Sequence, residues 1–265
     1  MPPQDDLRGL AHAKLVRHRV LAAQAVPLPR DVLAVLVNDP SRSVRRVLAA
    51  RTDVDAWDLL RPLANDPDLR TRQTLAANPS CPADLLLILV DDPHESVRWE
   101  LPSHPQTDRR VRRKIIDSPD EDLRRLLAEE ETLDRDTTEQ LLLDPSEEVR
   151  ESLAARTPFP DALARLLTSR SALVRAGVAQ NPRTTPEQRH TLTRDRSARV
   201  RATLLKFVEL DEEDLRLLAK DRSLNVRWWL ATWPTTPREI LELLLRDPNE
   251  DVSRQANVTL RHHHA

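Results

Sequence analysis

Apolar residues recur along the chain at helical spacing in short clusters, each closed by a polar pair, and the whole figure returns about every 26 residues. The segment Asn38-Asp39-Pro40-Ser41-Arg42-Ser43-Val44-Arg45-Arg46-Val47-Leu48-Ala49-Ala50 shows its shape. The Asp that closes the first apolar cluster falls at Asp39, Asp66, Asp92, Asp144, Asp195, Asp221 and Asp247, with Ser118 and Ser169 in the same column. Successive steps are 27, 26, 26, 26, 25, 26, 26 and 26 residues, a regularity that low complexity does not produce. Three residues earlier stand Leu36, Leu63, Leu89, Ile115, Leu141, Leu166, Leu192, Leu218 and Leu244. A column that is apolar in every copy is a core column.

Each unit reads as two helical pieces. Pro29, Pro82, Pro160, Pro186 and Pro237 stand at the first turn of the first piece, where a missing N–H costs nothing, and Asp-Pro stops it. A shorter piece of the form Val-Arg-x-x-Leu-Ala-Ala follows, and Asn78-Pro79, His104-Pro105, Thr157-Pro158 or Asn181-Pro182 ends it. Neither piece is long enough to be stable alone, so stacking of repeats must supply the stability. Residues 1–24 contain Arg19-Val20-Leu21-Ala22-Ala23, an echo of Arg46 to Ala50 at a distance of 27, and read as a capping half-repeat. Nine repeats then occupy 25–258. Residues 259–265, with His262-His263-His264, read as a disordered tail.

Composition fits this picture: 2 Gly against 21 Pro, no Tyr, and no alternating strand pattern. The formal net charge of −2 argues against global attraction to nucleic acid or an anionic membrane. No apolar run approaches the length of a membrane span and no leader pattern opens the chain, so a cytoplasmic location is expected. Cys81 is the single cysteine and reads as a small buried hydrophobe; no cofactor is expected. The Arg-rich, Lys-poor usage suggests a bacterial source.

The combination of Pro, Leu-x-x-Leu, Asp-Pro, Val-Arg and Ala-Ala over residues 25–258 resembles the leucine-rich repeat variant family, bacterial relatives in shape of HEAT repeats. The resemblance implies an all-α, right-handed α-solenoid, a superhelix of about nine 26-residue two-helix repeats in which an α-helix alternates with a short 3₁₀ or α piece. It implies a capacity to bind and no reaction. The iron–sulfur module of one branch of that family needs several cysteines, and this chain has one.

Six residues after the Asp column runs a ladder of arginines: Arg45, Arg72, Arg98, Arg124, Arg150, Arg175, Arg201 and Arg227, broken at Ser253. Such a ladder can track phosphates. The preferred reading is structural, with each Arg reaching the Asp of its own or a neighbouring repeat. Ser118 and Ser169 then single out Arg124 and Arg175 as anion-binding candidates, Arg175 foremost, since Asp120 and Asp122 stand near Arg124. The next column varies: Arg46, Gln73, Trp99, Arg125, Glu151, Ala176, Ala202, Trp228 and Arg254. Variation at fixed geometry on an inner face is where a solenoid places specificity. Its large members, Trp99 and Trp228 above all, are the expected contacts to a partner, although a Trp can equally plug a gap between repeats, as Trp229 would.

The expected role is therefore a non-catalytic binding module for a protein or peptide, with no membrane partner and no small-molecule substrate. The alternative is a nucleic-acid binder using the basic cluster Arg109, Arg110, Arg112, Arg113 and Lys114 and the stretch 183–206, where seven basic groups face two acidic ones. A third and weaker reading is an enzyme like the HEAT-like DNA glycosylases, with Trp99 beside Glu100 or Glu151. No phosphate-cradling Gly loop, zincin His pair or activated nucleophile supports catalysis.

Overall fold

A computed structural model describes residues 4–262. Among them there is no strand, and every element is a helix. The chain forms two compact units, Met1–Leu127 and Ala128–Ala265. In the first, paired pieces follow one another as α1 (Gln4–Ala11) with α2 (Val16–Ala23), α3 (Arg30–Leu36) with α4 (Arg42–Ala49), a 3₁₀ helix (Trp57–Asn65) with α5 (Leu69–Ala76), α6 (Ala83–Leu89) with α7 (Glu95–Arg98), and α8 (Arg109–Ile116) with α9 (Glu121–Ala128). In the second, the pairs are α10 (Arg135–Leu141) with α11 (Glu147–Arg156), α12 (Pro160–Leu167) with α13 (Ala172–Gln180), α14 (Pro186–Thr193) with α15 (Ala198–Phe207), α16 (Glu212–Leu218) with α17 (Leu224–Thr232), and α18 (Arg238–Leu244) with α19 (Glu250–His262). This is an α-solenoid of two-helix repeats.

The apolar column from Leu36 to Leu244 is buried in every copy. Each of these side chains is worth roughly 1.5–3 kcal/mol relative to exposure, which is how helices of about two turns hold together. Second pieces pack on the next second piece: α11 on α13, α13 on α15, α15 on α17, and α17 on α19. Gly177 marks a close approach of α11 and α13, because a Cβ there would lie 2.4 Å from the Glu151 carbonyl oxygen and 2.9 Å from the Ala154 Cβ.

All the second pieces are α-helical, and the 3₁₀ helix is a first piece. It contains Pro62, whose missing N–H and ring clash with an α-helical turn. α7 is cut to four residues because Pro102 stands where most of the other second helices carry an Ala, such as Ala49, Ala76 or Ala154. Pro160 and Pro186 lie inside the first turn as expected, whereas Pro29, Pro82 and Pro237 stand one residue earlier, at the N-cap.

Both ends differ from the sequence expectation. The N-terminal segment carries a pair of helices, and Arg19 donates to the Asp39 carboxylate as Arg45 does to Asp66, so the echo runs at 26 residues and Arg19 matches Arg45. At the other end α19 continues to His262, and Thr259 is buried with its Oγ1 donating to the Ala231 carbonyl at 2.7 Å. Residues 259–262 are therefore helix and not tail. His263, His264 and Ala265 lie outside the described residues.

Candidate functional site

The ladder arginines cross-link successive repeats through one recurring geometry. Nη1 donates to the main-chain carbonyl of the Asp column in the same repeat, as in Arg45 to Asp39 at 2.7 Å, Arg72 to Asp66 at 2.6 Å and Arg227 to Asp221 at 2.6 Å. Nε and Nη2 grip the carboxylate of the following repeat: Arg45 with Asp66, Arg72 with Asp92, Arg201 with Asp221, Arg227 with Asp247. That carboxylate also accepts from the amide two residues on, at Asp68 and Ser223 for example, and so fixes the entry to the next helix. Such bidentate, charge-assisted bonds are the strong ones.

This geometry corrects the anion-site expectation. Arg175 has a carboxylate partner, Asp195, with Nε to Oδ2 at 2.6 Å and Nη2 to Oδ1 at 3.0 Å, and it is 6% exposed. Arg124 is likewise buried and not free; its Nη1 donates to the Ser118 carbonyl at 2.7 Å. Because the carboxylate comes from the repeat ahead, Ser118 affects Arg98 and Ser169 affects Arg150. Arg98 turns to Asp120, at 2.5 Å. Arg150, expected to be an ordinary rung, keeps its bond to the Asp144 carbonyl and has no carboxylate among the described residues.

A second set of rungs was not foreseen. Asn78 donates from Nδ2 to the carbonyls of Ala49 and Arg51, and Asn181 to those of Ala154 and Thr157, each closing the end of the preceding second helix. His104 Nε2 lies 2.8 Å from the Asn78 carbonyl oxygen. The signal was present in the Asn-Pro and His-Pro column, where those polar side chains were read only as helix stops.

In the variable column the structure separates engaged from accessible residues. Arg46 is paired with Asp68, Gln73 donates to Ser96 Oγ at 2.6 Å, Glu151 accepts from Gln180 at 2.8 Å, and Arg125 lies 3.3 Å from Asp122. The hydrogen bonds with Arg46 come first among the causes that hold Asp68 below the ordinary carboxylate range. Ala176 and Ala202 are buried. Trp99 is 42% exposed. Trp228 packs edge-on to Trp229, ring centroids 5.2 Å apart, and Lys206 Nζ sits 3.8 Å over the Trp229 ring, which is partly buried against the core. Trp228 and Arg254 line one cleft of about 640 Å³ between α17 and α19, with Leu224 and Val258, 45% and 42% exposed.

The basic cluster is tied to neighbouring acids: Arg110 to Asp84 and Asp108, Arg113 to Asp117, Lys114 to Asp91. Within 183–206, Arg194 pairs with Asp214 and Arg201 with Asp221, while Arg183 and Arg199 are exposed. A cleft of about 770 Å³ in the first unit is lined in part by Arg72, Asp92, Asp91 and Lys114, whose charges are spent on one another. Cys81 is buried, and burial pushes its thiol up to about 12. No helix among the described residues is long and apolar enough to cross a membrane.

No protein-family model matches the chain. No curated protein matches it either. Among solved structures, the chain is similar to a leucine-rich repeat variant described as having a novel repetitive structural motif: 27% identity over 81% of this chain and 83% of that one, with a TM-score of 0.53. A designed armadillo repeat protein, 17% identical over 97% of this chain and 98% of its own, and an engineered protein, 18% identical over 98% and 96%, have TM-scores of only 0.17 and 0.15.

Proposed function

We propose that this leucine-rich repeat variant solenoid is a non-catalytic binding module that engages a protein or peptide through the face built by its second helices. The observation that carries the reading is the cleft between α17 and α19, where Trp228, Leu224 and Val258 present apolar surface beside Arg254 and Asp251. An aromatic anchor with a polar rim is the arrangement that concentrates binding energy at protein interfaces. Exposed Trp99 in the first unit offers a second contact of the same kind. Nucleic-acid binding draws less support, since the cluster around Arg110 and Lys114 is compensated by Asp84, Asp91 and Asp108. For a glycosylase-like reaction, Glu151 is a poor candidate because Gln180 already occupies its carboxylate.

The test places a photo-cross-linking residue at Val258 of the full chain in host lysate, with and without nuclease. Protein adducts that survive nuclease and are lost with Trp228→Ala, at unchanged circular dichroism, are expected. Recovery of nucleic acid alone, or equal adduct yield with Trp228→Ala, overturns the reading.

A further inference from the structure

Arg150 is a ladder arginine whose carboxylate partner the sequence has removed. In the two repeats that follow, the Asp ahead presents two oxygens to Nε and Nη2, as Asp195 does to Arg175 and Asp221 to Arg201. At the corresponding place ahead of Arg150 stands Ser169, whose side chain is too short to reach and carries no charge. Arg150 Nη1 remains fixed on the Asp144 carbonyl, so the guanidinium is held in the ladder orientation. Its Nε and Nη2 bond to nothing among the described residues, yet neither is among the side-chain atoms sealed from solvent without a partner.

The acids nearest in sequence are engaged elsewhere. Glu147 accepts from Ser171 Oγ at 2.6 Å and Glu148 from Ser146 Oγ at 3.0 Å. Ser169 Oγ accepts from the Ser171 amide at 3.2 Å, taking over the bond that the column Asp makes to the amide two residues on, and this leaves its own proton to donate. Arg170 is exposed beside it and adds positive charge. A half-buried guanidinium fork, already oriented and lacking a counter-ion, is suited to bidentate capture of a planar anion.

We propose that the place between Arg150 and Ser169, where other repeats put an aspartate carboxylate, binds a carboxylate supplied by a separate molecule, an acidic peptide. The ligand's two oxygens accept from Arg150 Nε and Nη2, and one also accepts from the Ser169 hydroxyl, completing the rung from outside. The assignment rests on the ladder geometry and is independent of the Trp228 cleft, which lies further along the same unit.

The full chain, ¹⁵N-labelled, is titrated with an acetylated and amidated tetraglutamate peptide, with acetylated tetraalanine bearing a free C-terminus, and with inorganic phosphate. The reporter is the Arg150 Nε–H resonance, identified by its loss in Arg150→Gln. A saturable shift with tetraglutamate supports the proposal; one with tetraalanine alone places a chain terminus there and overturns the acidic peptide as the occupant. Ser169→Asp is expected to restore the internal rung, raise the thermal midpoint and weaken peptide binding about tenfold or more, the loss of one good charge-assisted contact. Overturning results are a shift with phosphate alone, no shift with any of the three, or a Ser169→Asp protein that binds as the parent does or melts no higher.

Discussion

Arg175 Nε and Nη2 hold both oxygens of Asp195, a residue twenty positions ahead in the next repeat, while Nη1 of the same guanidinium holds the Ser169 carbonyl at 2.6 Å in its own. One side chain therefore joins three points: a helix end, a helix side and the neighbouring repeat. Both side chains are largely shielded from solvent, so removing one strands the other. Arg175→Ala is expected to cost about 3–5 kcal/mol, the usual penalty for breaking a buried pair, and to leave binding of the carboxylate probes unchanged. Urea unfolding and the titration above check the two halves of this expectation.

The same pairs make stability depend on pH. For Asp195, Asp221 and Asp247, burial raises the carboxyl, but the hydrogen bonds and charges of Arg175, Arg201 and Arg227, with the Ser197, Ser223 and Asn249 amides, outweigh it and hold each below its ordinary value. A carboxyl depressed on folding adds stability that is full above the unfolded value, about 4, and is lost as pH falls through the folded one. Urea midpoints are thus expected to stay level near neutrality and to drop in acid below about pH 4. A double variant, Arg175→Gln with Asp195→Asn, should show a shallower acid slope than the parent.

Gly177 tests the closeness of α11 and α13. Alanine ordinarily favours a helix over glycine by about 1 kcal/mol. Here the added methyl meets the backbone oxygen of Glu151, which has no flexible side chain to yield. Gly177→Ala is expected to lose about 1–3 kcal/mol through overpacking, read from the urea midpoint.

Cys81 should be inert in the folded protein. With its thiol buried and raised to about 12, the thiolate is scarce at neutral pH and has no path to a reagent. A disulfide-exchange dye is expected to react only after denaturant is added; rapid reaction of the native chain would contradict this.

Much of the architecture was legible in the chain itself. A period of 26 residues, an apolar column from Leu36 to Leu244 and Pro-marked helix ends require stacked helical pairs, because pieces this short cannot bury their apolar faces alone. The shortening of α7 was not expected, although Pro102, in a column of mostly alanines, carried the signal. Trp99 and Trp228 were singled out by their column, but only packing showed that Trp99 is exposed while Trp228 and Trp229 both lie partly buried against the core, Trp229 beneath Lys206.

What the sequence left open was which copy of a column a side chain meets. In a repeat of 26, an Arg six residues after one Asp is also twenty before the next, and a linear period treats the two alike. Stacking decided between them: the guanidinium takes the carbonyl behind it and the carboxylate ahead of it. That shift of one repeat pairs Arg175 with Asp195, spends Asp120 on Arg98, and makes Arg150 the arginine that Ser169 leaves without a carboxylate. Periodicity specified the columns, and three-dimensional translation from one repeat to the next specified the bonds between them.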